Sequence, residues 1–313
     1  MTVLRPPALA LLAVALLAVV GCGAARPGHP LPLPARPGDL PVSPRSHIVV
    51  LVMENEEASD VIGSSAAPFV NGLARRYARA THYYGVAHPS LPNYLALTGG
   101  STFGIRSDCT DCAVSAVNLV DQLEAAHVSW KGYMEGLPRA CDTTGGTGGY
   151  AKKHDPFLYF RDVAGNARRC ARVVPYAQLG SDLRGGTLPT FVWITPNLCD
   201  DGHDCGLAQA DHYLAGVVPA LLRELGPHGF LLLTWDEGSS DAGCCARQAA
   251  GGRVATIVAG PDVRAGAASA AAYDHYSSLR TIEDALGLAH LGRAAAAATA
   301  PLDALFRRAP RVR

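Results

Sequence analysis

The chain is predicted to be an α/β protein, a three-layer α/β/α sandwich around a mostly parallel central sheet. Three observations predict this. Apolar runs at residues 47–53, 189–195 and 229–235 are bounded by polar residues, as strands buried on both faces are. Stretches with apolar residues at helical spacing separate them, which implies a parallel sheet with helices on both faces. The runs also end in polar clusters, Glu54-Asn55, Asn197 and Asp236-Glu237. In open α/β sheets ligands bind beyond the carboxyl ends of the strands.

The first stretch reads as a targeting segment. Arg5 precedes an apolar run over 8–20, a signal-peptide length that falls short of the ~20 residues needed to span a bilayer. It ends Ala18-Val-Val-Gly-Cys22, similar to the bacterial lipobox, whose cysteine is lipidated after cleavage. The expected division is a signal peptide over 1–21, a proline-rich extended linker over 22–45 and one domain over 46–310. The mature chain is expected outside the cytoplasm, as a cell-surface lipoprotein or a secreted protein. Any membrane attachment would run through Cys22.

Within the domain the first strand leads to a helix over 66–79, with Phe69, Val70, Leu73 and Tyr77 at helical spacing. Residues 81–87 lead into His88-Pro-Ser-Leu-Pro-Asn-Tyr94. A short helix is expected over 93–97, stopped by Gly99-Gly100. A further helix is expected over 113–126 and a strand over 128–134. Residues 135–187, rich in Gly, Pro and polar groups, read as a long excursion, and loops of that length are usually functional or cross-linked. Then alternation resumes: strand 189–195, helix 207–225, strand 229–235, strand 254–259 and helix 277–286.

Composition narrows the function. A chain of 313 residues can bury a sizeable core, and a formal net charge of zero points away from nucleic acid. Nine cysteines are odd in number, but setting Cys22 aside leaves eight, an even count that favours disulfides in an exported chain. Eight cysteines allow 105 connectivities, so the count settles none; the local pairs 109–112 and 199–205, with 141–170, are candidates. Cys109-Thr-Asp-Cys112 has no second pair at zinc spacing, so it reads as a structural bridge.

The polar strand ends carry the chemistry. Glu54, Asn55, Asp236 and Glu237 form a hard, oxygen-rich set suited to a divalent cation. Surface carboxylates often end strands, but two such ends on buried strands favour a metal. Ser90, set between Pro89 and Pro92, would complete the site, because a metal lowers the pKa of a hydroxyl that is otherwise a weak nucleophile. The Gly-x-Ser-x-Gly elbow of α/β-hydrolases is absent. Asn93 is placed to donate to a phosphoryl oxygen. Among eleven histidines, His203, His275 and His154 lie beside other polar candidates and could bind phosphate or protonate a leaving group.

Taken together these residues resemble the phosphoesterase family of bacterial acid phosphatases and phospholipases C, within the alkaline phosphatase-like superfamily. The matching stretches are Val52-Met-Glu-Asn55, Ala80-Thr-His-Tyr-Tyr84, His88-Pro-Ser-Leu-Pro-Asn-Tyr-Leu-Ala-Leu97, Lys153-His-Asp-Pro-Phe157, Ile194-Thr-Pro-Asn197 with Asp201-Gly-His-Asp204, Thr234-Trp-Asp-Glu-Gly238 and His275-Tyr-Ser277. The resemblance implies an alkaline phosphatase-like fold. It also implies Glu54, Asn55, Asp236 and Glu237 as metal ligands, Ser90 as nucleophile and metal ligand, and Asn93 as the phosphate-binding amide. Asn197, His203 and His275 fall where the superfamily places a second metal. Asn197 replaces an aspartate there, so one metal with histidines around the phosphate is expected. The implied reaction is hydrolysis of phosphate monoesters through a phosphoserine. A phospholipase C or other phosphodiesterase is the alternative within the class, and an inactive surface binding protein the alternative outside it.

Overall fold

The computed structural model describes residues 1, 45–144, 149–245 and 249–312. The expected signal peptide after Met1, Cys22 and all but the last residue of the linker lie outside them. In chain order the elements are β1 (Ile48–Met53), α1 (Ala58–Val61), α2 (Pro68–Arg76), β2 (Ala78–Tyr84), α3 (Ser90–Gly99), α4 (Leu119–Ala125) and β3 (Trp130–Met134). There follow α5 (Arg161–Ala164), α6 (Ala167–Cys170), β4 (Val173–Pro175), α7 (Ala177–Gly185), β5 (Phe191–Thr195) and α8 (Leu207–Glu224). The last are β6 (Phe230–Trp235), β7 (Thr256–Ala259), β8 (Ala268–Asp274) and α9 (His275–Leu286).

The strands form one eight-stranded sheet in the order β4-β3-β5-β1-β6-β7-β2-β8. Every residue of β1, β5 and β6 is buried, as their unbroken apolar runs require. Each Val, Leu or Ile side chain so buried stabilises the fold by about 1.5–3 kcal/mol. β1 lies between β5 and β6 and runs parallel to both, so Glu54, Asn197 and Asp236 emerge at the same edge. Helices α2 and α8 pack together on the sheet, as α3 and α9 do separately, giving the expected layers of an α/β/α sandwich. β7 alone runs antiparallel, against both β6 and β2.

Several boundaries differ from expectation, for local reasons. The helix expected over 66–79 ends at Arg76, and 78–84 is β2, whose residues alternate in burial. Helix α3 begins three residues earlier than expected, at Ser90. Residues 113–118 are not helical: α4 begins after Asn118, whose side chain accepts from Val120 N while Asp121 accepts from the Asn118 amide. The excursion contains β4 and α7. Edge strand β8 had no apolar run to reveal it, because Ala268 to Ala272 is mostly exposed.

The three candidate disulfides form: Cys109–Cys112, Cys141–Cys170 and Cys199–Cys205. The remaining two cysteines pair as neighbours, Cys244–Cys245. Cys141–Cys170 cross-links the excursion internally, and the pairing of β4 with β3 ties it to the sheet. No helix among the described residues is long and apolar enough to cross a membrane.

Candidate active site

Glu54 follows the last residue of β1 and is fully buried. One carboxylate oxygen accepts from Tyr94 Oη at 2.6 Å and the other from Ser90 Oγ at 3.1 Å. Ser90 is the first residue of α3, with its hydroxyl also 3.5 Å from Glu237 Oε1. A helix of ten residues presents its positive end there, which suits a negatively charged group beside Ser90. Asp108 Oδ1 accepts from the Leu91 amide in that first turn, and its other oxygen pairs with Lys153 Nζ at 3.0 Å. Three expected residues, Glu54, Ser90 and Glu237, thus meet, though they come from three separate segments.

Asp236 and Glu237 follow β6. Asp236 Oδ1 accepts from the Asn55 amide at 3.1 Å, while its Oδ2 is buried with no hydrogen-bond partner among the described residues. Burial, then the charges of Glu54 and Glu237, push the Asp236 carboxyl well above its ordinary 3.8. Burial also raises Glu237 to about 7, although His88 Nδ1 lies 2.5 Å from its Oε2 and opposes the shift. Asn55 has a left-handed backbone (φ 59°) and an exposed side chain, so its amide, rather than its side chain, makes its contact with the cluster. Gly85 lets the backbone pass close by, since a Cβ there would stand 2.9 Å from Asp236 O and 2.6 Å from Gly251 O.

His154 sits deeper than its sequence context suggested. Its Nε2 lies 3.2 Å from Glu54 Oε2 and its Nδ1 3.3 Å from Asp201 Oδ2, and its ring stacks on Tyr94. Burial opposes its charge, but the two carboxylates outweigh that and raise it to about 9. Neither nitrogen makes an aligned hydrogen bond, and Asp201 Oδ2 makes none. Candidate ligand atoms of Glu54, His154 and Asp201 lie within 4.8 Å of one another, a spacing that could hold a metal ion. Sequence reasoning named Asp201 only as a neighbour of Asn197. Its place in Asp-Gly-His-Asp was the available signal.

Two expected roles need correction. Asn93 does not point an amide at substrate. Its Oδ1 accepts from the Val86 and Ala87 amides, and its Nδ2 donates to the Ala87 and Pro89 carbonyls, so it is consumed in holding the loop before Ser90. His275 does not face the cluster with a free nitrogen either. Its Nε2 contacts the Asp236 carbonyl at 2.5 Å and its Nδ1 the Tyr83 hydroxyl at 3.1 Å. Burial lowers its pKa to about 4, so it is a neutral brace for the end of β6. His203 is partly exposed, pairs with Asp204, and lies 6.2 Å from the His154 ring. Asn197 caps its own loop by accepting from the Cys199 and Asp200 amides.

The eight-stranded sheet with its covering helices is an alkaline phosphatase-like α/β fold. A member of the alkaline phosphatase superfamily from Vibrio parahaemolyticus superposes with a TM-score of 0.54 at 11% identity, covering 80% of this chain and 69% of the other. A phosphonate monoester hydrolase from Silicibacter pomeroyi gives 0.53 at 12% identity, over 84% and 77%. At such identities the likeness concerns the fold. The model described as the Phosphoesterase family matches residues 63–289, and the chain belongs to that family. It is 33% identical to a phosphatidylinositol-3-phosphatase of Mycobacterium tuberculosis, over 80% of this chain and 79% of that protein. It is also 30% identical to a probable acid phosphatase of Kluyveromyces lactis and 28% to a phosphate-repressible acid phosphatase of Penicillium chrysogenum. The chain spans only 59% and 65% of those two fungal proteins. Family membership makes it a hydrolase of phosphoric ester bonds.

Proposed function

We propose that the chain is an exported, metal-dependent phosphatase that hydrolyses phosphate monoesters through a phosphoserine at Ser90. The observation that carries this is the contact of Ser90 Oγ with Glu54 and Glu237 at the head of α3. The relatives' names, phosphatases in each case, favour monoesters over diesters. Four cystine pairs among the described residues accord with export.

A divalent cation fits the residues present. The orphaned Asp236 Oδ2 and the buried carboxylates of Glu54 and Glu237 call for a positive charge at the mouth of β1 and β6. Glu54, Asp236 and Glu237 would hold it, with Ser90, while the Asn55 amide orients Asp236 and His154 and Asp201 flank Glu54. Such an ion supplies Lewis acidity, lowering the serine pKa and neutralising phosphoryl oxygens. Ser90 Oγ forms the new bond to phosphorus as the ester P–O bond breaks, and its proton passes to the carboxylate that accepts its hydrogen bond. The helix end and Lys153 stabilise negative charge on the equatorial oxygens, the main requirement in phosphoryl transfer. His203, at the exposed rim, protonates the departing alkoxide. Water then cleaves the phosphoserine, giving its hydroxyl to phosphorus and its proton to Ser90, and the proton held by the carboxylate returns through solvent to His203, which restores the starting state.

The test compares a chromogenic phosphate monoester with a phosphocholine ester, with and without chelator, in wild type and Ser90→Ala. Monoester turnover should be chelator-sensitive and fall by about 10³-fold or more in the folded variant. Retained turnover in Ser90→Ala would identify another nucleophile. Faster cleavage of the diester would choose a phospholipase C. Metal binding without turnover of either ester would leave a binding protein.

A further inference from the structure

Two arginines line a cavity beside helix α1. The cavity, ≈ 190 Å³, lies between α1 and the antiparallel strands β2 and β7, with Arg79, Arg253, Ser59 and Thr81 in its wall. None of the residues that line it belongs to the Ser90 cluster. Both arginines are half-buried, and neither guanidinium has a hydrogen-bond or ion-pair partner among the described residues. Half-buried Arg169 pairs with Asp121, Glu124 and Asp162, and Arg280 donates to three backbone carbonyls, whereas Nε of half-buried Arg172 also has no hydrogen-bond partner among the described residues.

Both side chains leave a fixed backbone. Arg79 donates its amide to Ala267 O and pairs across the sheet with Ile257. The Arg253 amide donates to Glu57 Oε1, and its carbonyl accepts from Ala58 N at 2.6 Å. The Thr81 hydroxyl is already committed to Ser269 O, so it is wall rather than ligand. A pair of guanidinium groups without a protein partner is open to an anion. Two planar donor forks match an oxyanion with several acceptor oxygens. A space of ≈ 190 Å³ has room for a small tetrahedral anion.

We propose that this cavity binds a small tetrahedral oxyanion of the phosphate class, at a site separate from Ser90. Inorganic phosphate, titrated calorimetrically into the purified chain, is the probe. Binding in wild type should include an event that Arg79→Gln with Arg253→Gln removes or weakens about tenfold or more. The Arg79→Lys with Arg253→Lys chain should keep part of it. An isotherm unchanged in the glutamine chain overturns the site. Should that chain not fold, the native protein still decides: phosphate should slow modification of Arg79 and Arg253 by phenylglyoxal, read by mass spectrometry, and no protection of either overturns the inference. Failure of the proposed reaction is distinguishable, since absent monoester turnover beside arginine-dependent phosphate binding would leave this site standing.

Discussion

At the scale of single residues, Tyr94 has a role that its motif did not reveal. It donates to Glu54 at 2.6 Å and stacks on His154, so one side chain orients two groups of the cluster. Partners of this kind, one step behind a metal ligand, change metal affinity by about 10–100-fold when removed. Tyr94→Phe keeps the ring and the stacking but loses the bond to Glu54. Its apparent affinity for the activating divalent ion should fall about tenfold, with the melting temperature nearly unchanged, in a titration of metal against turnover. Equal affinity in the two proteins would make Tyr94 a packing residue only. Asn93 and His275 teach the converse: both stood in motifs that suggested substrate contact, but Asn93 is spent on backbone groups and His275 on the Asp236 carbonyl and the Tyr83 hydroxyl.

At the scale of elements, helix α2 shows how a helix end can be completed from a distance. Its N-cap residue, Ala67, offers no side-chain acceptor. The Phe69 and Val70 amides are instead met by both oxygens of Asp211 on α8, at 3.1 and 2.8 Å. Asp211→Ala would leave two buried N–H groups unanswered, at about 1–3 kcal/mol each. Chemical unfolding should therefore show a loss of about 2–4 kcal/mol, with the denaturant slope unchanged. Asp211→Asn, which keeps one acceptor, should recover part of it. A loss below about 1 kcal/mol would mean that water replaces the cap. Nothing near Pro68 in the sequence announces this partner, which is 142 residues away from Phe69.

For the whole molecule, buried carboxyls set how stability follows pH. Glu283, on α9 and away from the Ser90 cluster, accepts from the Leu291 amide with one oxygen and leaves the other without a partner. Burial pushes its pKa from 4.5 up to about 8. Between those values the folded chain keeps a proton that the unfolded chain has released. Its contribution is therefore complete below 4.5 and is lost as pH rises toward 8, at up to about 1.4 kcal/mol per unit. Glu283→Gln should melt higher than wild type at pH 8, with the difference vanishing near pH 4.5. A difference independent of pH would place the effect in packing. His275 works in the opposite sense, since its lowered pKa removes stability as pH falls from 6.5 toward 4.

Much of the fold was legible because β1, β5 and β6 are apolar throughout, and only a doubly covered strand requires that. Their polar ends, Glu54 and Asp236-Glu237, were legible for the same reason, since a charge stands out where a buried run stops. Two cystine pairs, Cys109–Cys112 and Cys199–Cys205, followed from local spacing. The reversal of β7, the exposed edge strand β8, the cap from Asp211 and the entry of Asp201 beside His154 were decided only in the folded chain. Each depends on which distant groups come to share a low-dielectric space. Local sequence determines where a strand or a charge can stand, while the partner that answers a buried polar atom is chosen by packing across the whole sheet.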